Sequence, residues 1–95
     1  MEQKCIEILI SSEIGSNLFE KLENRIITKF KGEIISKISD LDSTYYDFKI
    51  NSNLITLHKQ VFTGISIFPV DLNNASTECN DIVKIVGYDL KSFAK

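Results

Sequence analysis

Apolar and polar residues alternate from Lys4 to Ser11, with Ile6, Ile8 and Ile10 on one side and Cys5, Glu7, Leu9 and Ser11 on the other, the two-residue period of a strand. The pattern then changes period. From Ser16 to Lys31, Leu18, Leu22, Ile26 and Phe30 recur at every fourth position and Phe19 and Ile27 widen the stripe, which predicts an amphipathic helix. Ser16 and Asn17 are N-cap candidates, Asn17 with Glu20 has capping-box spacing, and Gly32 is placed to cap the C-terminus.

Alternation returns in residues 33–39, where Ile34, Ser36 and Ile38 fall on one face and Ile35 and Lys37 on the other. Asp40 to Ser43 breaks this run, and Thr44 to Ile50 forms the next strand, with Tyr46, Phe48 and Ile50 opposite Tyr45, Asp47 and Lys49. Asn51-Ser52-Asn53 reads as a hairpin turn into a strand from Leu54 to about Gln60. Gly64 can supply a positive φ before a last strand over Ile65 to Phe68. Pro69, lacking a ladder donor, is expected to end that strand at a sheet edge or outside the sheet. Cys79, Ile82, Val83, Val86, Leu90 and Phe93 share one helical stripe behind the N-cap candidate Ser76, and Gly87 is expected to kink or stop this helix.

The element order is thus β-α-β-β-β-β-α, an α+β fold with a mostly antiparallel sheet and two helices packed on one face. Residues 1–95 suffice for a single domain, and a hydrophobic share of 43% with 25% charged residues places the chain among folded proteins and away from disordered ones. The opposite sheet face is expected to carry Tyr45, Asp47, Lys49, Leu54, Thr56 and His58, a mixture suited to contact with another molecule.

Charge and chemistry narrow the function classes. A net charge of -2 with scattered basic residues argues against nucleic-acid binding. The absence of a long apolar run or a signal-peptide pattern argues against a membrane and for a cytoplasmic location. There, Cys5 and Cys79 are expected to stay reduced and unbonded to each other. His58 is the one histidine, with Asp47 on the neighbouring strand as its one nameable acid, a pairing that an ordinary cross-strand ion pair explains as well as a catalytic one. Asp40, Asp42 and Asp47 do not make an EF-hand, since Tyr45 stands where the loop needs glycine and Asn51 where it needs glutamate. No metal site, cofactor site or catalytic set is expected. The candidate binding residues are Asp40, Asp42, Tyr45, Asp47 and His58, carboxylates beside an aromatic that suit a basic protein partner.

The stretches Tyr45-Tyr46-Asp47-Phe48, Leu54-Ile55-Thr56-Leu57-His58 and Gly64-Ile65-Ser66-Ile67-Phe68-Pro69 resemble a pattern in small bacterial proteins, some of which resemble immunity proteins encoded beside polymorphic or contact-dependent toxins. The resemblance implies a non-enzymatic inhibitor that covers the active site of one toxin. With the acidic cluster, it points to a basic toxin domain such as a nuclease. The alternative is a homodimeric or small-ligand-sensing regulatory domain.

Overall fold

The computed structural model describes residues 6–14, 17–71 and 73–94. The elements are β1 (Ile8–Ser11), α1 (Leu18–Lys29), β2 (Glu33–Ser39), β3 (Ser43–Ile50), β4 (Asn53–Gln60), β5 (Gly64–Pro69) and α2 (Thr77–Phe93). The five strands form one sheet in the order β1-β5-β4-β3-β2, every neighbouring pair antiparallel. The α+β reading holds, and the first strand, whose place the periodicity leaves open, lies at the edge beside β5.

Four antiparallel steps separate β1 from β2, so these two edge strands run parallel and α1 must cross the whole sheet to join them. A 12-residue helix is about 18 Å long, close to the roughly 19 Å spanned by five strands. The crossing lays Phe19, Leu22 and Ile26 into the core, with the Phe19 ring 4.8 Å from that of Tyr46 on β3. Beside it, α2 buries Cys79, Val83, Val86 and Leu90 in the same core as Ile8, Ile10, Phe48, Ile50, Ile55, Leu57, Ile65 and Ile67. Both helices therefore cover one face. They are tied together by Asp89 of α2, which accepts from Arg25 Nε at 2.7 Å and from Lys29 Nζ at 2.6 Å on α1. These donors hold the Asp89 carboxyl down at about 2.

Several local expectations change in detail. Ser76 caps α2 as expected, its side chain accepting from the Cys79 amide. Asn17 occupies the cap position of α1 in a left-handed conformation without a side-chain cap bond among the described residues, and Ser16 lies outside them. The left-handed residue after α1 is Lys31, not Gly32; Gly32 instead donates to the Ile26 carbonyl and lets the chain press on the Ile26 side chain. Pro69 stays in the ladder opposite Ile55. Val70 donates to the Leu54 carbonyl, so at the alternate position the proline nitrogen points away from β4, beyond Ile8, the first residue of β1. Cys79 is buried with its Sγ 3.5 Å from the Leu54 carbonyl, whereas Cys5, and with it the expectation about the two thiols, lies outside the described residues.

Gly87 does not end α2, which runs on to Phe93. Its place is set by packing: a Cβ there would stand 2.9 Å from Ile8 Cβ and Cγ1, so the missing side chain is what lets α2 settle against β1. A Gly87→Ala substitution sets two effects against each other. Alanine favours the helix by up to about 1 kcal/mol, while forcing a methyl group into a filled contact costs about 1–3 kcal/mol. We expect net destabilisation, read as a lower urea midpoint; a raised midpoint would show that α2 does not press on β1 at this position.

Candidate functional site

The face away from the helices is assembled by cross-strand register. One row runs Ile38, Tyr45, His58, Ser66, Leu9 across all five strands, and the next runs Ser36, Asp47, Thr56, Phe68. Lys49 and Leu54 begin a third. The expected set of Tyr45, Asp47, Lys49, Leu54, Thr56 and His58 thus shares this face.

β2 departs from its sequence pattern. Its register against β3 shifts between Ile34 and Ser36, so that Ile34 stands opposite Phe48 on the core side while Ser36 stands opposite Asp47 and Ile38 opposite Tyr45. Strict alternation puts Ile34, Ser36 and Ile38 together; one extra residue in the strand reverses the facing of everything after it. Lys37 consequently points to the helix side, where its Nζ lies 2.9 Å from Glu23 Oε2 of α1 and 4.6 Å from the Tyr46 ring centre. Ile38 is turned outward and is 59% exposed, and Ile35 is exposed as well.

At the middle of the face the Tyr45 and His58 rings stack with centres 4.3 Å apart, and Phe68 meets His58 edge-on at 5.9 Å. β-strand geometry fixes this: Tyr45 and His58 are direct partners across β3 and β4, and Phe68 is diagonal to His58 on β5. Thr56 and Ser66 are only 4% and 7% exposed, since larger side chains stand around them on the same face. The Thr56 hydroxyl donates to Asp47 Oδ1 at 2.7 Å. Asp47 is therefore committed to Thr56, and the expected Asp47–His58 ion pair is not made. His58 Nε2 is buried and has no hydrogen-bond partner among the described residues. That burial lowers the His58 pKa, and the carboxylates of Glu7 and Asp40 pull it weakly the other way.

The five candidate residues fall into two places. Tyr45, Asp47 and His58 lie on the sheet face, whereas Asp40 and Asp42 lie in the β2–β3 turn at its end. There Asp40 Oδ1 accepts from the amides of Asp42 and Ser43 at 3.3 and 3.1 Å, the local backbone bonding that suits aspartate to turns. Sequence reasoning missed Ile35 and Ile38, whose facing depends on the bulge, and Phe68 as a partner of His58. It also passed over Leu41 and Phe62, although apolar residues within turns were a visible signal. Among the described residues no group of three or more His, Cys, Asp or Glu side chains is gathered closely enough to hold a metal. No family model, curated protein or solved structure matches this chain.

The depressed pKa of His58 makes stability depend on pH with a definite sign. The unfolded chain titrates near 6.5 and the folded one lower, so between these values the unfolded state binds the extra proton. The contribution is fully present above 6.5 and is lost as pH falls toward the folded value. A His58→Phe variant keeps the ring and removes the unpartnered nitrogen. Its urea midpoint should not fall at neutral pH, and its stability should change less than that of the parent between about pH 5 and 7. Parallel pH profiles for the two proteins would contradict the assignment.

Proposed function

We propose that this chain is a non-enzymatic binding protein that engages another protein through the uncovered sheet face, in the manner of an immunity protein that neutralises a cognate toxin. The observation carrying the reading is the ordered Tyr45–His58–Phe68 aromatic group, flanked by exposed Leu9, Ile35, Ile38 and Leu54 on a rigid five-stranded platform. Aromatic side chains held in place on strands contribute contact area with little loss of freedom, and such anchors dominate binding energy. The carboxylates of Asp40, Asp42 and Asp47 at and beside this group favour a basic partner, and a nuclease toxin, whose cleft is positive, is the class that fits. His58 wedged between two rings and Asp47 bonded to Thr56 support a recognition role over a catalytic one.

A second reading, a small-ligand sensor, draws on a groove of about 400 Å³ between the end of α1 and α2, floored by Phe30, Ile50, Ile82 and Val86. The two readings use opposite sides of the molecule, so a substitution on one side separates them.

The test pairs the purified protein with a basic toxin domain encoded beside it and measures binding by calorimetry and stopped flow. A folded Tyr45→Ala, Asp47→Ala double variant should lose roughly 2 kcal/mol or more of affinity, and association should slow as salt rises. Unchanged affinity in that variant would remove the sheet face from the interface.

A further inference from the structure

We propose that the tips of the β2–β3 and β4–β5 hairpins together form a rigid apolar knob that inserts into a pocket rimmed by lysine or arginine on the partner protein. This inference rests on the binding role proposed above and adds the part of the partner that is recognised.

The two turns lie at the same end of the sheet, because β3 and β4 join the strands that flank them. Their sequences are Ser39-Asp40-Leu41-Asp42-Ser43 and Gln60-Val61-Phe62-Thr63-Gly64. Turn positions are ordinarily polar. Here Leu41 is 97% exposed and Phe62 79%, with Val61 half exposed beside it. Three large apolar side chains on adjoining turns are costly to show to water and contribute nothing to the core.

The backbone beneath them is fixed. The Asp40 amide donates to the Ser43 carbonyl at 2.8 Å while its carboxylate accepts from the amides of Asp42 and Ser43, closing the first turn on itself. The Val61 amide donates to the Asp42 carbonyl at 3.0 Å, which joins the two turns directly. Thr63 Oγ1 donates to Gln60 Oε1 at 2.8 Å across the second turn. Gly64 closes that turn at a φ of 104°, and a Cβ there would run into the Ser11 carbonyl of β1. The side chains are thus presented on a backbone that gives up little conformational freedom on docking.

Charge decides the occupant. The two turns hold Asp40 and Asp42 and no lysine, arginine or histidine, so the apolar tip is flanked by two carboxylates. An anionic bilayer would repel that collar. A second copy docking tip to tip would set Asp40 and Asp42 against themselves. A protein pocket with an apolar floor and a cationic rim satisfies both features at once. The knob also rises from the end of the sheet face that carries Ile38 and Tyr45, so one partner can meet both surfaces.

The surface chemistry can be read with two defined host molecules: neutral β-cyclodextrin, an apolar cavity without charge, and its per-6-amino derivative, the same cavity with an ammonium rim. In NMR titrations at low salt, both should shift Leu41 and Phe62 signals. The ammonium host should bind roughly fourfold more tightly, the worth of two exposed charge pairs. That preference should vanish in high salt and in an Asp40→Asn, Asp42→Asn variant, in which the side-chain oxygen at position 40 can still accept the turn bonds. Phe62→Ser should abolish the shifts at the tip in a protein of unchanged stability. Equal affinity for the two hosts, or shifts centred elsewhere, would overturn the proposal. So would Phe62-dependent sedimentation with phosphatidylcholine vesicles, which makes a bilayer the occupant, or a Phe62-dependent dimer by light scattering, which makes a second copy the occupant. If a toxin domain is bound through Tyr45 and Asp47 with affinity indifferent to Leu41→Ser and Phe62→Ser, the knob fails while the binding role stands.

Discussion

Among the described residues two helices are all there is to shield five strands, and the path of α1 decides which side they shield. Because β1 and β2 sit at opposite edges and run parallel, α1 has to traverse the sheet, and the groove left beside it over β1, β5 and β4 is where α2 docks. That second docking depends on a contact one methyl group wide, between Gly87 and Ile8. Asp89, gripped by Arg25 and Lys29, then holds the helices together at the surface. Once both helices are on one side, no described element forms a layer on the other side of the sheet, and what the strands place there faces outward.

What they place there is governed by the bulge in β2. A regular strand keeping Ile34 in the core would also carry Ser36 and Ile38 inward and send Lys37 out. The extra residue at Ile35 separates these demands: Ile34 remains in the core, Lys37 reaches Glu23 on α1, and Ile38 joins Tyr45 and His58 on the open face. A bulge on an edge strand also blunts it against pairing with another chain. The same device thus discourages indiscriminate edge association and enlarges the apolar surface available for a specific one.

Much of this fold was legible because it is written in short-range periodicity. The alternation of Tyr46, Phe48 and Ile50 with Tyr45, Asp47 and Lys49 assigned both faces of β3, and the four-residue spacing of Leu22, Ile26 and their neighbours found the buried side of α1. What was not legible depends on contacts distant in sequence. Gly87 reads as a helix breaker until Ile8 is seen against it, Pro69 reads as a strand terminator until the direction of its nitrogen is known, and Ile38 reads as sharing a face with Ile34 until the register slips. Of the candidate site, the types and faces of Tyr45, Asp47 and His58 were readable. Their partners were not, because Thr56 and Phe68 compete for Asp47 and His58 through lateral and diagonal neighbours that periodicity does not rank.

The claim on which the rest stands is that one sheet face is uncovered and that the bulge turns Ile38 onto it. Relaxation of isoleucine δ1 methyl signals by a soluble nitroxide measures this directly. The methyls of Ile38 and Ile35 should be broadened as strongly as that of Ile85, which is exposed on α2, while those of Ile26, Ile55, Ile65 and Ile67 stay sharp. An Ile38 methyl as protected as those four would mean that β2 keeps its regular alternation, that Ile38 packs beneath α1, and that the proposed binding face is not formed.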